Sequence, residues 1–140
     1  MQIVEYPHPA LRHRSKPLKK VDAALRAIVA EMFELMYQAK GIGLAANQVD
    51  VSCSMFVNDQ PNHVHGRWIK HRAVCNPTWK PTPSGFQYRR VEGCLSYPGW
   101  LLPVPRYDAI IVEYETVLGV KVKDKLYHLA AQVFQHETEH

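Results

Sequence analysis

The sequence predicts an α+β fold, with small antiparallel sheets packed around a C-terminal helix and a second helix near the start. Three observations predict it. Apolar residues recur at helical spacing between about Asp22 and Lys40. They recur at that spacing again from Leu126 to the last residue. Between these stretches lie short runs rich in Val, Ile and Tyr, cut apart by prolines and glycines.

The first helix places Leu25, Ile28, Val29, Met32, Phe33 and Met36 on one face. Asp22 is placed to cap its start, and Gly41 to occupy the left-handed position just past its end. Strands are expected at residues 51–57, near 73–75, at 86–91 and at 107–116, with 120–122 pairing with the last of these as a hairpin. Residues 60–72 are polar, contain Pro61 and Gly66, and read as a loop. The last helix begins between Asp124 and His128. Its stripe of Leu126, Leu129, Val133, His136 and His140 is spaced 3, 4, 3, 4. Both histidines therefore extend the inward face of this helix.

The 140 residues fit one domain spanning 1–140, and a hydrophobic fraction of 46% excludes a disordered chain. A net charge of +4 is scattered over the sequence, so no specific nucleic-acid surface is expected. No apolar run is long enough to cross a membrane, and the first residues lack a signal-peptide pattern. The three cysteines, an odd number, read as reduced thiols in a cytosolic compartment.

The strongest chemical signal is His136-Glu137-Thr138-Glu139-His140. Histidines at i and i+4 on a helix can hold one cation, which makes this the metal-binding helix of the predicted fold. Glu137 projects about 100° from His136, within reach of a water on that cation without being a ligand. A third ligand must come from upstream. Cys94, in Glu92-Gly93-Cys94-Leu95-Ser96, is best presented, on what reads as a tight loop. Cys53 and Cys75 lie in or beside apolar runs and read as small buried hydrophobes. His63 and His65 are rivals to Cys94, although a polar loop with solvated histidines is the simpler account of them. The third feature is Gly41-Ile42-Gly43-Leu44-Ala45-Ala46-Asn47-Gln48, a thin segment that admits close approach and ends in an amide suited to polarising a carbonyl. Two other functions fit the same ligands. One is a different metal-dependent amidase or peptidase. The other is a closed structural zinc site completed by a residue such as His65, in which Glu137 would be idle.

These segments, in this order, resemble the peptide deformylase family, whose members carry G-x-G-x-A-A-x-Q, E-G-C-x-S and H-E-x-x-H. The stretches Tyr6-Pro7-His8-Pro9-Ala10-Leu11-Arg12 and Val104-Pro105-Arg106 are also similar to the family. The resemblance implies that Cys94, His136 and His140 hold one divalent metal, Fe²⁺ foremost, with Zn²⁺, Ni²⁺ or Co²⁺ as substitutes. It implies Glu137 as general base and then acid, and the Gln48 amide and Leu95 N–H as donors to the developing oxyanion. Gly43 would bring backbone to the substrate. Ile42, Leu129 and Val133, apolar and flanking the motifs, are expected to line a methionine pocket. The implied substrate is the N-formyl-methionyl end of a nascent polypeptide, in the cytoplasm of a bacterium or of an infected bacterial host. Glu139 stands where the family usually has Asp, and Leu101 where many bacterial members carry Arg near the substrate. Most members continue beyond the second histidine. The chain is similar to the short, virus-encoded form, and weak or absent ribosome binding is expected of it.

Overall fold

The computed structural model describes residues 1–12, 14–19, 21–60, 69–83 and 85–140. The first helix, α1, spans Ala23–Gln38. Asp22 caps it as expected, its side chain accepting from the Leu25 N–H at 3.0 Å. Its end differs from the sequence expectation. The left-handed residue is Lys40 (φ 58°), and the Gly41 N–H reaches back to the Met36 carbonyl at 2.9 Å. This is a Schellman closure shifted one residue earlier. Gly41 instead lies close to the ribbon tip, where an added Cβ would meet the end of the Leu95 side chain, Cδ1, at 2.8 Å.

Five antiparallel strands form the main sheet in the order β1-β2-β3-β6-β7. They are β1 (Gly43–Ala45), β2 (Met55–Gln60), β3 (Ile69–Pro81), β6 (Ala109–Glu115) and β7 (Lys121–Tyr127). A separate two-stranded ribbon pairs β4 (Gln87–Cys94) with β5 (Tyr97–Tyr107). The second helix, α2, is His128–Thr138.

Strand alternation sends neighbouring side chains to opposite faces, and the two helices take one face each. Met55, Val57, Ala73 and Cys75 join Val29, Met32, Phe33 and Met36 of α1 in one core. Phe56, Val74, Ile110, Val112 and Tyr114 join Ala131 and Phe134 of α2 in the other. Phe134 meets Phe56 edge to face with ring centroids 5.3 Å apart. Gln135, fully buried, pins α2 to the end of β5 by accepting from the Tyr107 N–H (2.9 Å) and donating to the Tyr107 carbonyl (2.8 Å). These contacts hold the histidine-bearing end of α2 against the ribbon.

Several elements depart from expectation. The strand expected at 107–116 is divided: Tyr107 ends β5, and β6 begins at Ala109. Residues 69–72, expected in a loop, belong to β3, which runs well beyond the predicted 73–75. The expected 51–57 strand starts later, at Met55. The expected 120–122 strand grows into β7, and its hairpin with β6 forms as expected. The thin glycine segment carries β1 and a 3₁₀ turn, Ala46–Val49, neither of them expected. His63 and His65 lie outside the described residues. Among the described residues no helix is long and apolar enough to cross a membrane.

Candidate active site

Three elements converge on one point. Cys94 is the last residue of β4, paired with Tyr97 across the two-residue turn of Leu95 and Ser96. The expected tight loop is thus the tip of a hairpin, which fixes the thiol more firmly than a free loop would. His136 comes from the last turn of α2, and His140 lies two residues past its end. Gln48 comes from the 3₁₀ turn after β1.

Cys94, His136 and His140 each place one ligand atom within 4.8 Å of the others, and Cys94 Sγ is 3.4 Å from His140 Nε2. Tetrahedral ligands at zinc-like bond lengths lie roughly 3.3–3.8 Å apart, so a single divalent ion fits this donor set. No fourth His, Cys, Asp or Glu joins the group among the described residues. Cys75 is buried in the α1 core, as expected, while Cys53 is only half-buried against it, and neither joins the ligand group.

Behind the ligands stands an ionic network. His136 Nδ1 lies 2.8 Å from Glu92 Oε1. Arg106 Nε donates to Glu92 Oε2 at 2.7 Å, and Arg106 Nη2 to Glu139 Oε2 at 3.1 Å. Burial alone would raise the Glu92 carboxyl. The hydrogen bonds from His136 and Arg106, with their charges, overcome it and hold the group down at about 2. Burial likewise opposes a charge on His136, but its hydrogen bonds to Cys94 and Glu92 carry it up to about 10. A proton and a cation therefore compete for this imidazole. His140 is half-buried, and loss of solvent, with the His136 charge beside it, pushes it down to about 4. The Glu139 departure from the family pattern is accommodated, since the longer side chain still reaches Arg106.

Glu137 is buried, and burial pushes it up to about 7. Its Oε1 lies 3.8 Å from His136 Nε2, and its Oε2 has no hydrogen-bond partner. Gly43 permits this placement: a Cβ there would meet Glu137 Oε1 at 3.0 Å. Gln48 is buried and fixed at both ends of its amide. Oε1 accepts from the Ala45 N–H at 2.9 Å, and Nε2 lies 3.1 Å from Ser96 Oγ and 3.4 Å from Cys94 Sγ.

A cleft of about 670 Å³ opens over the group. Its wall includes every residue expected at the site except His140: Ile42, Gly43, Gln48, Cys94, Leu95, Leu129, Val133, His136 and Glu137. Ile42 is 41% exposed and forms an edge rather than the floor of a pocket. Leu101 and Trp100, both largely exposed, stand on the ribbon side of the opening. Sequence reasoning assigned no role to Glu92, Ser96 or Arg106. Glu92 carried one signal: it sits two residues before Cys94, on the same strand face.

An antiparallel α+β frame that delivers a thiol, two imidazoles and a buried carboxyl to one open cleft defines a metal-dependent hydrolase. The sequence model described as polypeptide deformylase matches residues 1–140. The chain is 38% identical over 142 residues to a peptide deformylase of Rhodopirellula baltica, covering all of this chain and 68% of that protein. It is 39% identical over 140 residues to chloroplastic peptide deformylase 1B of Oryza sativa, covering 51% of it. The crystal structure of peptide deformylase from Thermotoga maritima superposes with a TM-score of 0.88 at 37% identity, covering 99% of this chain and 88% of that one. The chain belongs to the polypeptide deformylase family. It spans about half to four fifths of the length of the curated relatives it matches.

Proposed function

We propose that this protein hydrolyses the N-formyl group from the formyl-methionine that begins newly made polypeptides. The observation that carries this reading is the buried Glu137 carboxyl, with one oxygen unpartnered, beside a three-ligand group. The proposed ligands are Cys94, His136 and His140; the family resemblance implies Fe²⁺, and a thiolate with two neutral imidazoles would also accept Zn²⁺, Ni²⁺ or Co²⁺. When bound, the ion supplies a positive centre that acidifies water and polarises the formyl oxygen.

The residues of the chain do the rest. Ile42, Leu129 and Val133 receive the methionine side chain at the cleft wall, and Gly43 lets the peptide backbone approach. Glu137 takes a proton from the attacking water as the C–O bond forms at the formyl carbon. It then gives that proton to the departing α-nitrogen as the C–N bond breaks, leaving formate and a free amine. Burial raises this carboxyl, which helps it hold the proton between the two steps. Gln48 Nε2 has two hydrogens, one directed at Ser96 Oγ and one at Cys94 Sγ. The second, with the Leu95 N–H, donates to the oxygen as it gains charge. Such donors are worth about 2.7–4 kcal/mol each.

The test is formate release from a formyl-Met peptide by protein loaded with Fe²⁺ without oxygen, against acetyl-Met and unblocked peptides. Only the formyl substrate is expected to turn over. Formyl-norleucine should follow formyl-Met closely and formyl-Ala trail both, since each methylene is worth about 1–3 kcal/mol. Equal turnover of the acetyl peptide would make the protein a broader amidase.

A further inference from the structure

The two proposed oxyanion donors sit on separate segments, Gln48 after β1 and Leu95 at the ribbon tip. Their separation must be held to within a fraction of an ångström for both to serve one oxygen. Gln48 Nε2 to Ser96 Oγ is one tie between them. A second is built from residues with no part in the chemistry. The Val4 N–H donates to the Gln48 carbonyl at 2.7 Å, and the Tyr6 N–H donates to the Ser96 carbonyl at 2.9 Å.

Val4 and Tyr6 are two residues apart, the span of one short stretch of backbone, and each N–H reaches one of the two donor segments. Residues 4 and 6 thus act as a ruler with one contact on each donor segment. The ruler is itself anchored. Ile3 packs on the α1 core, and the Tyr6 ring stacks on Tyr97, the first residue of β5, at 5.6 Å. The Arg12 guanidinium lies 5.9 Å from the centre of the Tyr6 ring. Both accepting carbonyls belong to tight turns, where few backbone bonds fix the chain otherwise.

We propose that the Val4–Tyr6 segment is a positioning strap that sets the spacing of the Gln48 and Leu95 donors. This rests on the donor roles given under Proposed function. The strap predicts that loosening either contact lowers kcat and leaves KM nearly unchanged, because an oxyanion donor acts in the transition state and not on the bound ground state.

Replacing the amide of Val4, or separately of Tyr6, by the corresponding α-hydroxy-acid ester removes one donor and keeps every side chain. Each ester is expected to lower kcat about tenfold, with KM within about twofold. In a Gln48→Ala background the Val4 ester is expected to cost less than about twofold, since the donor it positions is gone. By NMR, the Leu95 amide should exchange faster in the Tyr6 ester, with no added exchange in the core of α1. Unchanged kcat in both esters, or the same loss with and without Gln48, overturns the strap while the donor roles stand. Full kcat in Gln48→Ala alone overturns the donor role, and the strap with it.

Discussion

Glu92 Oε1 lies 2.8 Å from His136 Nδ1, and this contact decides which imidazole nitrogen faces the cleft. With Nδ1 engaged, Nε2 is the nitrogen left to bind a cation. Arg106 holds Glu92 from the other side and is itself almost fully buried. Its second partner, Glu139, is 57% exposed, so the two carboxylates on this one guanidinium are unequal. Glu92→Ala is expected to weaken metal retention about 10–100-fold in a chelator competition. Glu139→Ala should leave retention unchanged and cost at most about 1 kcal/mol, as exposed ion pairs do. Arg106→Leu strands a buried carboxylate and should cost about 3–5 kcal/mol in urea unfolding. Equal effects of the Glu92 and Glu139 variants on metal retention would contradict this ranking.

Glu137 gives a cleaner test of chemistry. Glu137→Gln keeps the shape of the side chain and removes its basicity. Metal content by mass spectrometry should stay at the wild-type level while kcat falls about 10²–10⁴-fold. A metal-loaded variant with near-normal turnover would remove the carboxyl from the mechanism.

Two of the glycines at the cleft wall, Gly41 and Gly43, should behave differently on gaining a methyl group. Neither has a positive φ, so contact rather than backbone strain decides. At Gly43 the new Cβ meets Oε1, Cδ and Cγ of Glu137 at 3.0, 3.1 and 3.2 Å, so the carboxyl must move. Gly43→Ala should keep the fold and lose about 10- to 100-fold in kcat. At Gly41 it meets the end of the Leu95 side chain, which can rotate without moving the Leu95 N–H. Gly41→Ala should cost about 1–3 kcal/mol of stability and leave kcat within about threefold. The reverse order of kcat losses would mean that the carboxyl has room and the ribbon tip does not.

Both helices were legible because a 3.6-residue apolar stripe survives any tertiary context. Of the second stripe only Leu129, Val133 and His136 lie on α2; Leu126 belongs to β7, and His140 comes after the helix has ended. The motif residues were legible because they are local in sequence. The ribbon was not. β5 carries Pro98, Gly99, Pro103 and Pro105, which argue against a strand. A two-stranded ribbon leaves one edge of β5 unpaired, however, and residues two apart, such as Pro103 and Pro105, present their nitrogens to the same edge. The Glu92–Arg106 pair was hidden for a related reason. It depends on the pairing of two strands, one of them unpredicted, and the two residues are not register partners: Arg106 lies opposite Tyr88, and Glu92 opposite Leu102. The contacts of Val4 and Tyr6 are backbone bonds and leave no mark on composition.

Cys75 supplies a pH dependence that is separate from the site. Burial pushes its thiol up to about 11, with Cys53 and Glu115 adding to the shift. In the unfolded chain it would lose its proton near its ordinary value, 9.0. Between these values the folded state binds more protons than the unfolded one, so stability must fall as pH rises. The contribution is complete below pH 9 and lost by about pH 11, and two pKa units correspond to at most about 3 kcal/mol. Urea unfolding at pH 8, 9, 10 and 11 should therefore show a steeper decline for the wild type than for Cys75→Ala. The variant starts lower, because it loses buried volume, and the two curves converge as pH rises. Native Cys75 should also resist iodoacetamide at pH 9, where an exposed thiol reacts. Parallel stability curves, or rapid alkylation of Cys75 in the folded protein, would show that this thiol ionises as if it were in water.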